Sequence, residues 1–423
     1  MAQKKAIASM TSPPMRSNMP SPKDSTPPQH TSMKIFPVDA LLYATMRLLR
    51  HIDKRQCALR YLNKEDVKSI IVISSTAIGD TLMSTPAIKA VRVSYPTAHI
   101  TALFSVRNMA LFANNPDVDT VIPYYGGYKH FLRTIKALRR QKADVALILH
   151  GNEPQATPLA YLSGARFIVK LPSSPQYDFL LSNVSNNHDI TQHQHHSIDV
   201  RLKVASLIGC TYNDRHMRLY VDDNDVLFIK QYLRRLGIGQ ESVLIGFQTG
   251  AVNKHKIWPS SHFIALGRSL IQDDPNIRIV LTGSKKEQPR CRFIAGEIGQ
   301  RAISTAGEIT LPQLAALVKE LHLLLTNDTG TMHIAIALNT KTVSLFCPTF
   351  YKVVGAAVDP HLHRIIHRER PCFPCVTKRC KAPFCMGLIS VDEVGKVIRS
   401  AWPLLRRSRT LLAPLRPNAV DLR

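Results

Sequence analysis

The sequence predicts an α/β protein built from two facing doubly wound parallel-sheet domains, and three observations predict it. Short apolar runs alternate with helical stretches from Val67 onward, the pattern of parallel strands joined by helical crossovers. After a polar stretch between Pro172 and His196 the alternation starts again at Ser242, so two sheets are expected, with ligand in the cleft at the carboxyl ends of their strands. A chain of 423 residues, 45% of them hydrophobic, is long enough for two core-bearing domains.

In the first half, Ser69–Ser74, His99–Phe104 and Asp144–Leu149 read as strands, and Thr81–Ser94 as a helix interrupted near its start by Pro86. In the second half the strands are Ser242–Phe247, Ile277–Leu281, Leu321–Leu325 and Thr342–Phe346, with helices over His262–Gln272 and after Gly330. The organisation expected is a disordered leader (1–33) rich in Pro, Ser, Thr and Met and a basic amphipathic helical segment (34–65). An N-terminal α/β domain (66–220), a linker (221–240), a C-terminal α/β domain (241–400) and a basic tail (401–423) follow.

The charge balance is strongly basic: 55 Lys and Arg against 30 Asp and Glu, formally +25. A polyanionic partner is expected, whether nucleic acid, an anionic membrane or a phosphorylated substrate. No nucleic-acid module is recognisable, and aromatics at 7% are thin for base-stacking platforms, so no specific nucleic acid is expected. No apolar run reaches the roughly 18–20 residues that span a bilayer. Lys4-Lys5 is not followed by the apolar core of a secretory signal. The expectation is a cytoplasmic protein whose eight cysteines are mostly reduced thiols or metal ligands. Within Phe36–Leu62, Leu41, Thr45, Leu48, Leu49 and Ile52 share one helical face, while Arg47, Arg50, Lys54 and Arg55 lie largely on the other. Such helices lie on anionic membranes, which would place the protein peripherally on the inner face of the cytoplasmic membrane. The alternative is a helix packed on its own domain with its basic face in solvent.

The stretch Leu325-Thr326-Asn327-Asp328-Thr329-Gly330-Thr331-Met332-His333 is the most telling. An apolar strand stops at a polar turn, and a helix of small residues follows at once. Free backbone N–H groups and the positive end of a helix dipole then stand at a sheet edge, where a phosphate can sit. Asp80 follows Gly79 at the end of the first strand; it is a candidate for chemistry or an ordinary helix-starting Asp. Lys254, His255 and Lys256 precede Trp258-Pro259 at a helix start, a placement suited to a diphosphate, or else a plain basic loop. Glu287 follows the strand Ile277–Leu281, where a carboxylate can bridge ribose hydroxyls.

Together these pieces resemble the glycosyltransferase family that includes the ADP-heptose:lipopolysaccharide heptosyltransferases (glycosyltransferase family 9). The specific marks are Asn327-Asp328-Thr329-Gly330-Thr331-Met332-His333, Gly79-Asp80 with Thr85-Pro86-Ala87, and Lys256-Ile257-Trp258-Pro259, over roughly Lys68 to Ile398. The resemblance implies a GT-B fold, with an acceptor-side N-terminal domain and a C-terminal domain that binds a nucleotide sugar. It implies inverting transfer of a heptose from ADP-heptose to a glycolipid acceptor, the lipopolysaccharide inner core. Asp80 would be the general base and Lys256 would hold the leaving diphosphate with the N–H groups of Thr329 and Gly330. Asp328 would bind donor sugar hydroxyls, His333 would stand near the phosphates, and Glu287 would take the ribose. No cofactor or catalytic metal is required by this scheme. The alternatives are a GT-B transferase for another nucleotide sugar and a basic nucleic-acid-binding protein. About 65 residues precede the first strand, more than in the family's shorter members. Ala251 and Val252 stand where a hydroxyl contact to phosphate would be expected.

Cys372, Cys375, Cys380 and Cys385 lie close in sequence, opening with C-x-x-C, and could form a structural zinc site or stay as free thiols or disulfides. Cys57, Cys210, Cys291 and Cys347 read as isolated residues. His193, His195 and His196 read as a polar loop or helix start in preference to a metal site.

Overall fold

The computed structural model describes residues 37–401 apart from 56, 152, 172–175, 184–194, 348, 370–371, 373–379 and 381–382. The leader and all but the first residue of the basic tail lie outside them. The first half holds α1 (Pro37–Ile52), β1 (Ser69–Ser74), α2 (Ile78–Ser94), β2 (His99–Ser105), β3 (Thr120–Tyr124), α3 (Phe131–Arg139), β4 (Val145–His150), α4 (Ala156–Leu162), β5 (Phe167–Lys170) and α5 (Ser197–Ser206). The second begins with α6 (Asp223–Arg235), β6 (Val243–Gln248), α7 (Ser260–Asp273), β7 (Ile277–Thr282), α8 (Gln288–Ile298) and β8 (Ala302–Ser304). It continues through α9 (Leu311–Glu320), β9 (Leu323–Asn327), α10 (Gly330–Ala337), β10 (Thr342–Phe346), α11 (Tyr351–Val354), β11 (His363–His367) and α12 (Val391–Ser400).

The strand orders are β3-β2-β1-β4-β5 and β11-β10-β9-β6-β7-β8, parallel throughout. Counted from its own first strand, each sheet winds outward through two strands and then returns to the other side of that strand. The order therefore reverses between β1 and β4 and between β6 and β9, and ligands bind at such reversals. Every residue of β1, β6, β9 and β10 is buried, because helices cover both faces of a parallel sheet. One core layer lies between the first sheet and α1, α3 and α4. A second lies between the second sheet and α7, α8 and α12. A third is shared by the two halves and draws on α2, α5, α6, α9 and α10.

Three segments differ from expectation. The helix α2 begins at Ile78, not Thr81, and runs through Pro86 without a break. Proline at 86 deprives the Leu82 carbonyl of its helical donor, and the Thr85 hydroxyl replaces it at 2.7 Å. The segment 221–240 carries the helix α6, capped by Asp222 on the Asn224 N–H and buried through Ile229 and Leu233. Helix α1 stops at Ile52, short of Leu62, where Asp53 turns back to accept from the Arg55 N–H and guanidinium. Among the described residues no helix is long and apolar enough to cross a membrane.

Candidate active site

The carboxyl end of β1 supplies the first half of the site. Helix α2 is preceded by Ala77, whose side chain caps nothing, so Asp80 in the first turn would be expected to do that work. It does not. Its Oδ1 takes a guanidinium N–H from Arg201 at 3.2 Å and its Oδ2 faces the Thr76 hydroxyl at 3.1 Å. Arg201, on α5, is only 3% exposed, and also donates to the Ser197 carbonyl at 2.8 Å. Burial lowers its pKa to about 10, against the pull of Asp80, so it stays a cation at neutral pH. His150, at the end of β4, completes the group: Nδ1 lies 2.7 Å from the Thr76 hydroxyl and Nε2 3.6 Å from Asp80 Oδ1. An ionised carboxylate can only accept, so the Thr76 hydroxyl donates to Asp80 Oδ2 and its oxygen takes the Nδ1–H of His150, which sets the tautomer of the neutral imidazole. Burial pushes His150 down to about 4, so it is neutral near pH 7. Sequence reading identified Asp80 but missed Arg201 and His150, which lie far away in sequence at unremarkable helix and strand positions.

The switch point of the second sheet supplies the rest. Asn327 ends β9 and staples the loop after β6: its amide donates to the carbonyls of Thr249 and Gly250, each at 3.2 Å, and accepts from the Trp258 N–H at 3.2 Å. This staple sets Lys256 against Asp328, an ion pair of 2.6 Å with the carboxylate nearly buried. Two residues assigned separate tasks from the sequence thus touch each other. Thr329 then precedes α10 with extended backbone and no side-chain cap, leaving the first N–H groups of α10 open to an anion. Glu287 stands apart, accepting from the Ser284 N–H at 2.7 Å and hydroxyl at 2.8 Å. It lies over Gly250 so closely that a side chain there would overlap its carboxylate.

The two halves meet at the site. His333, on α10, packs on Gly79, where an added Cβ would come within 2.5 Å of the imidazole. One added at Gly330 would lie 3.2 Å from Ile78. The amino ends of α2 and α10 therefore oppose each other. Burial lowers the pKa of His333 to about 4, while Asp328 and Asp80 draw it upward and His196 and Arg201 downward. The imidazole is neutral at pH 7 and feels both carboxylates, and its buried Nδ1 has no hydrogen-bond partner among the described residues. His196 also joins the halves: Nδ1 caps α5 by accepting the Ile198 N–H and Nε2 bonds the Gly355 carbonyl at 3.0 Å. It is the expected helix start.

The neutral histidines make folding acid-sensitive. His333 and His363, the latter also held near 4 by burial, bind protons less readily folded than unfolded, where the pKa is about 6.5. Their contribution is complete above pH 6.5 and is lost as pH falls towards 4. Each should cost about 2 kcal/mol at pH 5. Urea unfolding at pH 7.5 and pH 5 measures this; equal stability at the two would contradict it.

Of the four clustered cysteines, Cys375 lies outside the described residues, while Cys372 is exposed, Cys380 half-buried and Cys385 buried in the second core. Among the described residues no three His, Cys, Asp or Glu side chains gather as metal ligands would. His193 also lies outside the described residues.

Two facing doubly wound sheets with opposed switch points, an anion-ready helix start on one side and a carboxylate on the other, define a GT-B-like glycosyltransferase. The model of glycosyltransferase family 9 (heptosyltransferase) matches residues 131–385, and the chain belongs to that family. The lipooligosaccharide heptosyltransferase 2 of Campylobacter jejuni is 23% identical over 346 residues, 80% of this chain and 99% of that protein. The lipopolysaccharide heptosyltransferase 2 of Escherichia coli is 26% identical over 300 residues, 66% of this chain and 83% of its own. Among solved structures, the family 9 glycosyl transferase of Veillonella parvula aligns with a TM-score of 0.68 at 21% identity, over 82% of this chain and 99% of that one. The ADP-heptose lipopolysaccharide heptosyltransferase II of E. coli aligns at 0.65 and 21%, over 79% and 99%. The alternative of a nucleic-acid-binding protein falls with this membership.

Proposed function

We propose that the protein transfers a heptose from ADP-heptose to a lipopolysaccharide core acceptor, with inversion at the anomeric carbon. The observation that carries this reading is Asp80, held by Arg201 at one switch point and facing the open amino end of α10 across His333. The lipopolysaccharide heptosyltransferases of E. coli and their relatives support the sugar and the acceptor. The acceptor hydroxyl attacks the anomeric carbon, the bond to the diphosphate oxygen breaks, and ADP leaves with the electron pair. Asp80 takes the hydroxyl proton during attack. Lys256 exchanges Asp328 for a diphosphate oxygen, and the N–H groups at the start of α10 share the charge. Asp328, so released, is free to bind donor sugar hydroxyls, His333 stands beside the phosphates, and Glu287 takes the ribose. Lysine and helix dipole neutralise the leaving group, so transfer is expected to proceed in the presence of EDTA. A zinc ion on Cys372, Cys375, Cys380 and Cys385 would be structural. The enzyme works on the cytoplasmic side, against the membrane that carries its acceptor.

Calorimetric titration of ADP, UDP and GDP tests the donor. ADP should bind selectively, and Lys256→Ala should weaken it at least about tenfold, the value of one charge-assisted hydrogen bond. Selective UDP or GDP binding would retire ADP-heptose as donor; no nucleotide binding at all would retire the reading.

A further inference from the structure

Helix α1 is apolar on two faces. Leu42, Tyr43, Met46 and Leu49 pack onto the core beneath it. On the opposite side Val38, Leu41, Leu48 and Ile52 are 51%, 69%, 64% and 63% exposed. Their spacing of three, seven and four residues aligns them, with Thr45, in one outward stripe. A helix needing only to cover its own domain would carry polar residues there. Arg47 and His51, both exposed, border the stripe.

Helix α3 belongs to the same layer. The Tyr128 hydroxyl, just before α3, donates to Asp39 of α1, and both helices bury side chains in one core. Beside α3 lies a groove of about 380 Å³ whose lining includes Tyr125, Arg133, Lys136 and Arg140 and no carboxylate. None of these three cations forms an ion pair among the described residues. Leu132, next to the groove residue Arg133, is 80% exposed.

An apolar stripe beside unpaired cations selects its partner by charge. A second copy of this chain, itself +25, would set like charges against each other. The leader carries Lys4, Lys5, Arg16 and Lys23 against Asp24 alone, so it too is cationic. We propose that this layer docks on a bilayer rich in anionic phospholipid, with the outward stripe of α1 entering the acyl boundary and the α3 groove receiving headgroup phosphates. The glycolipid reading gives this contact its purpose, but the two fail separately, because nucleotide binding needs no membrane.

The test is co-sedimentation of the full chain with vesicles of phosphatidylcholine alone or mixed equally with phosphatidylglycerol. The protein should bind the mixed vesicles, and less as salt rises. Leu41→Ser with Leu48→Ser should lower partitioning at least about tenfold. Arg133→Ser with Lys136→Ser should lower it about fivefold per cation removed. Both pairs alter exposed side chains, so Tm and ADP affinity should stay at wild-type values, and a fall in Tm would be met by the milder Leu48→Thr alone, read the same way. Vesicle binding equal in all variants, or absent from the wild type, overturns the proposal. So does a stripe variant that loses self-association in sedimentation equilibrium while keeping its hold on vesicles, which would assign the stripe to a second copy.

Discussion

Asp80→Asn is expected to lower kcat for sugar transfer by about 10³-fold, roughly 4 kcal/mol of transition-state stabilisation, with ADP affinity nearly unchanged. The amide keeps an oxygen for the Arg201 N–H at the position now 3.2 Å away, so the local framework persists. What is lost is the capacity to take a proton from the attacking hydroxyl. Loss of one partner from a pair whose cation is buried also costs stability, so Tm is measured alongside and transfer assayed well below it. Single-turnover rates with saturating donor give the cleanest reading, since they separate chemistry from release. A variant within about threefold of wild type would move the base elsewhere. His150, 3.6 Å from Asp80, is then the residue to replace.

The fold was legible in its middle and not at its margins. The interior strands β1, β2 and β4 of the first sheet, and β6, β7, β9 and β10 of the second, were all read from the sequence. The four strands that escaped, β3, β5, β8 and β11, are the four sheet edges. An interior parallel strand is covered on both faces and hydrogen-bonded on both sides, so it appears as an unbroken apolar run. An edge strand need satisfy only one neighbour. Thus β3 tolerates Pro123 and β11 carries His363, Arg364 and His367, while β8 is only three residues long. Such compositions carry a weak strand signal that the neighbour must complete, while β5, Phe-Ile-Val-Lys, is apolar but only four residues long.

The site divides along a similar line. Strand–turn–helix junctions announce themselves, because a Gly or a carboxylate just after an apolar run serves either the turn itself or a ligand above it, and Asp80, Asp328 and Glu287 were found there. The groups that tune them arrive from other elements. Arg201 is an ordinary helix residue until α5 packs beside α2, and no local pattern could have paired it with Asp80. The contact between Lys256 and Asp328 is likewise set by Asn327, whose three bonds to the loop after β6 depend on the pairing of β6 with β9. In the first segment the amphipathic pattern was read, but only packing shows that Leu49 turns inward while Leu41, Leu48 and Ile52 remain outside.

Trp258→Ala is expected to destabilise the protein by about 3–5 kcal/mol in urea unfolding, the range for a large aromatic removed from a core. Trp258 is fully buried, and its ring meets Phe263 edge-on at 4.9 Å. Its indole N–H donates to the Ile389 carbonyl at 2.9 Å, its backbone N–H reaches Asn327, and its carbonyl accepts from Arg290 at 3.1 Å. Trp258→Phe retains much of the packing but strands the Ile389 carbonyl, so about 1–3 kcal/mol should be lost. A loss below about 1 kcal/mol for the alanine variant would mean that the cavity collapses without strain, contrary to the packing of this site. The same residue ties stability to chemistry, because it follows Lys256 by two positions and anchors that loop to the turn bearing Asp328. Lys256→Ala should therefore weaken ADP at a smaller stability cost, that of leaving the nearly buried Asp328 carboxylate unpaired, whereas Trp258→Ala should weaken ADP and also cost the full core loss, since the loop that presents Lys256 is held in place from inside the core.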